Sequence, residues 1–479
     1  MANKEGITVK KDKDFSEWYT QVVTKSGMIE YSQVSGCYVL RPLAYEIWEK
    51  IQSYFDKKIK KKGVKNAYFP LLIPESLLKK EASHVKGFAP EVAWVTHAGD
   101  SKLDERLAIR PTSETIIYDT YAKWIRSHRD LPLRLNQWCS VVRWEFKHPQ
   151  PFLRSREFLW QEGHTVFAAQ EEAEAEVLDI LKEYANIYEN LLAIPVIQGK
   201  KSEKEKFAGA VYTTSIEALL PNGKAIQGAT SHFLGQNFAK AFNIQFLNAS
   251  EKKQHPYQNS WGISTRALGI LIIMHADDKG LIIPPKIAEN KLVIIPIIFD
   301  ESKDKILKKA EELKEELKKF NPILDERDDY SPGWKFNEWE LKGIPLRIEL
   351  GPKDLEKKQV LIVRRDTGEK IPVKWNNVEA EVPGILEDIQ KGLYNKAQHN
   401  LENSIKEVKT QQELIQVIKQ NKFALMSWCN TSKCEESIKD KTGGAKSLNL
   451  PFNKQKNIVE ICPICQKKST CKALFGRSY

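Results

Sequence analysis

The segment WCSVVRWEFKHPQPFLRSREFLWQEGHTVF, from Trp138 to Phe167, constrains the fold more than any other part of the chain. It reads as two strands, VVRWEF and EFLWQEGHTVF, joined by a ten-residue loop from Lys147 to Arg156 that carries two prolines and two arginines. Strand side chains alternate between faces. Arg143 and Glu145 therefore share a face of one strand, and Phe158, Trp160, Glu162 and His164 share a face of the other. A face turned into an apolar core cannot carry an arginine, two carboxylates and a histidine without partners for the charge. Cross-strand salt bridges on a solvated outer face would account for any single pair. Taken together, the cluster predicts a surface that binds something polar and anionic.

The chain has 479 residues, room for about three domains. Its 74 Lys and Arg against 63 Asp and Glu leave a formal charge of +11, which favours anionic partners such as nucleic acid. The longest apolar runs, LGILIIM at 268–274 and KLVIIPIIF at 291–299, fall short of the roughly 20 residues a membrane span needs. MANKEGITVKKDKD lacks the apolar centre of a signal peptide. The expectation is a soluble, cytoplasmic protein with no membrane partner.

Along the chain, a helical opening segment is expected from about Asp14 to Asp56, followed by the apolar run GVKNAYFPLLIPESLL and a helix from about Ser113 to Ser127. After the hairpin, residues 171–195 read as an amphipathic helix ended by Pro195. Strand-like pieces including AIQGATSHFLGQNF lead to NSWGISTRALGILIIMHAD, and LIIPPKIAENK reads as a linker. KLVIIPIIF reads as a buried strand. Behind it stands a helix with Ile306, Ala310, Leu313, Leu317 and Phe320 on one side and Glu/Lys pairs on the other. GIPLRIELGP and QVLIVRRDT add strands, implying a compact α/β unit from about 287 to 400. The last stretch reads as lysine-rich helix and then a cysteine segment. The domain limits expected are 1–285, 286–400 and 401–479.

Of seven cysteines, Cys37 and Cys139 stand alone and five fall in the last 51 residues. Cys429-x4-Cys434 and Cys462-x2-Cys465 form two close pairs of the kind that hold a structural Zn2+. Four thiolates would cross-link a segment too short and too polar to fold unaided, with Cys471 as a spare that could replace one ligand.

Arg143-x-Glu145, a loop with Arg154 and a strand beginning at Phe158 resemble motif 2 of the class II aminoacyl-tRNA synthetases. GVKNAYFP, ending in Pro70, resembles motif 1, and GISTRALG with Arg266 resembles motif 3. RPTSETIIY, FKHPQPFLRSREFLWQEGHT, IQGATSHFLGQNF and GIPLRIELGP are similar to the prolyl-tRNA synthetase family over nearly the whole chain. The cysteine-bearing tail and terminal LFGRSY resemble the archaeal and eukaryotic type. The fold this implies is α+β: an antiparallel-sheet catalytic domain, an α/β anticodon-binding domain and a small α/β zinc-bearing C-terminal domain. A homodimer through motif 1 is implied as well.

The chemistry implied is activation of L-proline by ATP with Mg2+ to prolyl adenylate, then transfer to the 3′ end of tRNA(Pro). Joining a carboxylate to the α-phosphate brings two anions together, so fixed cations must converge there. The resemblance gives Arg143 the bridge between carboxylate and α-phosphate, Arg266 the far side, and Arg154 the outer phosphates, with Ser155 in the same ATP site. Phe158 stacks on adenine; Glu145, Gln227, Thr230 and Ser264 bond base and ribose. Magnesium is held largely by the nucleotide and water. For proline, Thr112, Glu114 and Glu162 suit the secondary ammonium, Arg143 the carboxylate, Trp160 the ring, and His164 and His232 close the pocket. Thr112 and Glu114 also fit a routine helix start, and His232 also fits a structural histidine.

The stretch between motifs 2 and 3 has no room for the large editing insertion of bacterial-type relatives. Losing a methylene gives about 1–3 kcal/mol of discrimination, so alanine and cysteine are expected to be activated slowly and not cleared. Arg347, Lys353 and Glu340 are candidates for anticodon contacts, and the C-terminal residues are expected to fold back toward the catalytic domain. Two rivals remain: a class II synthetase for another amino acid such as threonine or glycine, and a synthetase-derived RNA-binding protein without catalysis. Trp160 with Glu114 and Glu162 opposes the first; Arg143, Glu145 and Arg266 oppose the second.

Overall fold

The computed structural model describes residues 6–84, 91–145, 147–456, 458 and 461–479. Ile47, Ile51, Phe55 and Ile59 recur at helical spacing and are buried along one side of the helix Pro42–Lys61, which opens with proline at its first turn. The expected opening segment is thus not continuous. A first helix, Phe15–Lys25, is separated from Pro42–Lys61 by the small hairpin Ile29–Tyr31 and Tyr38–Leu40, because Gly27 takes φ 78° and turns the chain.

These helices pack on an 11-stranded sheet. Its catalytic part runs antiparallel through Ile197–Lys200, Tyr212–Leu219, Lys224–Gly235, Tyr257–Ser264, Glu157–Phe167 and Leu133–Val142. The amphipathic helix Gln170–Asn186 buries Ala173, Val177, Ile180, Leu181 and Tyr184, each large apolar side chain contributing about 1.5–3 kcal/mol. It ends earlier than expected, widening into a π turn at Ile187–Leu191 before Pro195 is reached.

The first strand of the 138–167 hairpin ends at Val142. Arg143 still donates its N–H to the Arg156 carbonyl at 2.7 Å, so pairing carries one residue further. Trp144 and Glu145 are exposed beyond it, and Phe146, the expected strand end, lies outside the described residues.

The middle unit has a five-stranded sheet in the order Ile323–Leu324, Leu292–Pro296, Leu346–Leu350, Gln359–Arg364, Lys370–Lys374, the first three parallel. Ile306, Ala310, Leu313 and Leu317 of the expected helix are fully buried against it, with Phe320 at the margin. The 27-residue helix Val378–Ser404 then runs through position 400, where the sequence placed a domain limit.

The tail has the α/β character that the resemblance implied, with more strand than its reading as a lysine-rich helical stretch and a cysteine segment suggested. Strands Phe423–Trp428, Cys471–Ser478 and Lys446–Pro451 pair side by side, and Ile418, Met426, Trp428 and Phe475 form an apolar core with the helices Gln411–Lys419 and Ser432–Thr442. Leu450 pairs with Lys200, so the tail extends the catalytic sheet itself. Among the described residues, no helix is long and apolar enough to cross a membrane.

Candidate active site

The hairpin register sets Leu135 opposite His164, Gln137 opposite Glu162 and Cys139 opposite Trp160. On this face Phe158, Trp160, Glu162 and His164 line a single cavity of about 280 Å³, as their two-residue spacing predicts. Thr112, Glu114 and Arg143 line the same cavity, as do Gln227, Thr230, His232, Ser264 and Arg266. Gln227 lies an odd number of residues from Thr230 and His232, so a regular strand would turn it away. The register shifts at this point, with Ile216 opposite Ala229 and Glu217 opposite Gln227. Gly228 is the extra residue of the bulge and turns Gln227 inward. A Cβ on Gly228 would sit 2.8 Å from the Tyr188 ring, so that position also needs glycine for space.

Arg143 donates Nε–H to the Pro111 carbonyl at 2.9 Å, and its guanidinium lies 5.7 and 5.2 Å from the Phe158 and Trp160 rings. Arg266 opens the helix Arg266–His275. Among the described residues, neither side chain forms an ion pair with a carboxylate. Burial first, and then repulsion from Arg143 and Arg154, hold the Arg266 pKa below its ordinary value, opposed by Tyr188 and Glu217. Arg143 and Arg266, brought to one cavity with neither in a carboxylate ion pair among the described residues, form a preorganised anion site.

At the other end, Thr112 Oγ1 donates to Glu114 Oε2. Ser113, not Thr112, occupies the helix N-cap position, and its hydroxyl goes to Glu162 instead of the helix amides. A routine capping role therefore does not explain this segment. Glu162 also accepts from Gln137 Nε2 and from His164 Nε2, both at 3.1 Å. Burial pushes the Glu162 pKa up, but His164, Ser113 and Gln137 outweigh it and leave the carboxyl below its usual range. For His164, burial acts downward and is outweighed by the Glu162 hydrogen bond and the Glu114 charge, so its pKa is raised. His232 is pushed down to about 3, by burial first and then by His164. Its Nδ1 lies 2.9 Å from Thr213 Oγ1, and its ring packs on Phe207.

Three expected site residues stand apart. Glu145 is exposed outside the cavity, and Ser155 is buried without lining it. Arg154 lines an adjoining cavity of about 240 Å³ together with Gln227, Arg266, the buried Lys201–Glu217 ion pair and Tyr479. Phe207, Thr213, Trp261 and Tyr479 also line these cavities and were not singled out as site residues in the sequence, although Trp261 adjoins GISTRALG and Tyr479 ends LFGRSY.

Three family profiles match in succession: the class II tRNA synthetase core domain for Gly, His, Pro, Ser and Thr over residues 94–275, an anticodon-binding domain over 291–384, and the prolyl-tRNA synthetase C-terminal domain over 411–479. The cytoplasmic proline–tRNA ligase of Arabidopsis thaliana is 50% identical over 99% of this chain and 91% of its own length. The proline–tRNA ligase of Alkaliphilus oremlandii is 51% identical over 97% and 96%. The chain belongs to the prolyl-tRNA synthetase family. The bifunctional glutamate/proline–tRNA ligase of Mus musculus is 50% identical, but the chain spans 33% of its length. A crystal structure of the Cryptosporidium parvum prolyl-tRNA synthetase, complexed with halofuginone and AMPPNP, superposes with a TM-score of 0.94 at 49% identity, covering 99% of this chain and 100% of that one.

In this prolyl-tRNA synthetase family member Tyr68 of motif 1 is 72% exposed, Leu71 and Leu72 beyond it are half-exposed, and Trp124, from the helix Glu114–Trp124, packs on Phe69 while 52% exposed. Arg347 is buried between Glu349 at 2.8 Å and Glu340 at 3.4 Å, while Lys353 is exposed just after the strand Leu346–Leu350. The sulfurs of Cys429, Cys434, Cys462 and Cys465 lie within 4.8 Å of one another. Cys429 is 3.5 Å from Cys434 and 3.6 Å from Cys465, near the roughly 3.8 Å edge of a tetrahedron with Zn–S bonds of about 2.3 Å. The residues fit zinc. Cys471 points elsewhere, to the Trp428 carbonyl at 3.6 Å.

Proposed function

We propose that the 280 Å³ cavity is where this synthetase joins L-proline to ATP. A proline carboxylate oxygen attacks the α-phosphorus, the bond to the bridging oxygen of the β-phosphate breaks, and pyrophosphate leaves. No side-chain base is needed, because the carboxylate is already ionised. Arg143, steered by Pro111 and the two aromatic rings, meets carboxylate and α-phosphate; Arg266 approaches from the opposite side. Arg154 takes the outer phosphates, with Ser155 supporting its loop. Phe158 stacks on adenine, and Gln227, Thr230, Ser264 and Glu145 bond base and ribose. Mg2+ carried on the nucleotide neutralises phosphate charge.

Thr112 and Glu114 receive the secondary ammonium, and Trp160 and His232 wall the ring. Glu162 has its oxygens engaged by Ser113, Gln137 and His164, so its part is to fix His164 and the Thr112–Glu114 turn. The prolyl group then passes to the 3′ end of tRNA(Pro), held also at the anticodon-binding domain, where Lys353 is exposed and Arg347 is taken up by Glu340 and Glu349. Catalysis occurs in the cytoplasm, in a homodimer that covers the apolar motif 1 surface, with a structural zinc on Cys429, Cys434, Cys462 and Cys465 and no internal editing domain.

The observation that carries this reading is that Arg143 and Arg266, from separate segments, line one cavity without a carboxylate partner among the described residues. Pyrophosphate exchange measured with each of the twenty amino acids tests it. Exchange should be fastest with proline, and Arg143→Ala or Arg266→Ala should lower it by about 100-fold or more. Exchange as fast or faster with another amino acid, or none at all, would overturn it.

A further inference from the structure

The helix that begins with Arg266 is anchored at its far end by the anticodon-binding domain. Asp277, two residues beyond the helix terminus at His275, receives both terminal nitrogens of Arg365, at 2.9 and 2.6 Å. A planar guanidinium gripping a carboxylate through two parallel bonds fixes direction as well as distance. The same Arg365 donates Nε–H to the Glu340 carbonyl at 2.8 Å, and its side chain is 4% exposed. Glu340 is also the carboxylate that pairs with Arg347, and Lys279 reaches it at 3.5 Å. One guanidinium thus joins the exit of the Arg266 helix to the helix Pro332–Lys342, on which Glu340 lies.

Backbone contacts make the joint stiff. Leu281 N–H donates to Leu341 O at 3.0 Å and Ile283 N–H to Gly343 O at 3.1 Å, so the chain leaving the Arg266 helix runs along the end of Pro332–Lys342. Gly280 and Gly343 both have positive φ, and a Cβ on either would strike the opposing backbone at 2.5 and 2.6 Å. Lys11 clamps the other side through the Ile273 and Ala276 carbonyls at 2.7 and 2.8 Å. A ten-residue helix is a rod of about 15 Å, so a displacement at Asp277 is transmitted to Arg266.

We propose that Arg365 is a positioning residue: its grip on Asp277 couples the anticodon-binding domain to the placement of Arg266, so that tRNA bound at one end alters ATP binding at the other. The inference rests on the ATP role assigned to Arg266 above. Coupling between two ligands is reciprocal and read as a ratio of affinities.

The test is equilibrium binding of ATP–Mg2+ to the full chain without proline, with and without a saturating tRNA(Pro) transcript. In the unsubstituted protein tRNA should shift the ATP dissociation constant by about fivefold or more. In Arg365→Gln and Asp277→Asn the ratio should fall toward unity, although each ligand still binds and the thermal midpoint shows a folded protein. Arg365→Lys, which keeps charge but loses the fork, should recover only part of the shift. An unchanged ratio in both variants, or no shift in the unsubstituted protein, would overturn the proposal. Should Arg365→Gln fail to fold, Asp277→Asn decides alone, since the Asp277 side chain is 42% exposed. Loss of proline-dependent exchange in the unsubstituted protein would instead count against the proposed function.

Discussion

His164 Nε2 lies 3.1 Å from Glu162 Oε2, and both side chains are shielded almost completely from solvent. Tyr118 meets the other ring nitrogen at 3.0 Å, so the imidazole is fixed at both ends. Across the cavity His232 is held neutral by burial and by the charge on His164. Two histidines in one pocket are therefore pushed in opposite directions, His164 up by the adjoining carboxylates and His232 down by burial and then by His164.

This difference gives a stability profile with a determined sign. The raised His164 pKa contributes stability that is complete below the unfolded value of about 6.5 and disappears as pH rises through the folded pKa. His232, pushed down to about 3, acts oppositely. Its contribution is complete above about 6.5 and declines as pH falls toward the folded value, by up to about 1.4 kcal/mol per unit. Urea unfolding over that range should show His232→Gln flattening the acid-side decline and His164→Gln losing most stability in acid. The reverse pattern would contradict the assignment.

Gly163 separates Glu162 from His164, and a Cβ there would overlap the Trp261 indole. Gly163→Ala should cost about 1–3 kcal/mol through overpacking and raise the proline KM by about tenfold, with a smaller effect on the ATP KM. Equal changes in both constants would argue against a local effect.

Tyr479 donates its N–H to Ala225 O at 3.1 Å, accepts from Asn222 through its hydroxyl at 2.7 Å, and lines the cavity beside Arg154. Tyr479→Ala should lower kcat/KM for pyrophosphate exchange by about tenfold, near 1.4 kcal/mol, with little change in Tm. Unchanged exchange would detach this residue from the site.

The four-cysteine cluster predicts about one zinc per chain, lost in Cys434→Ser. Metal analysis reads this directly. Because the tail continues the catalytic sheet through Leu450 and Lys200, chelation should also lower the Tm of the whole chain. A metal-free wild-type protein with the same Tm would refute the site.

Alanine lacks two of the proline ring carbons, a loss of about 1–3 kcal/mol per methylene. Slow alanine-dependent exchange is expected, and preformed alanyl-tRNA incubated with the purified chain should remain intact. Hydrolysis would reveal an editing activity.

The candidate site was legible wherever chemistry followed local spacing. Phe158, Trp160, Glu162 and His164 needed only the two-residue alternation of a strand, and the two cysteine pairs needed only their intervals. Gln227 was legible as a residue type but not as an inward-facing one, since a bulge at Gly228 reverses its direction. Glu162 was legible as a cavity residue, but its hydrogen bonds to Ser113 and Gln137, far away in the chain, were not.

The sequence by itself determined the motifs, the α+β class, the amphipathic faces and the cysteine set, because these depend on side-chain type at short separations. Only the tertiary structure decided that the tail adds strands to the catalytic sheet, that Arg154 opens on a second cavity, and that Arg365 grips Asp277. Those features depend on backbone hydrogen bonds and ion pairs between residues far apart in the chain. Their partners leave no periodic trace and exist only once the sheet register and the domain seam are set.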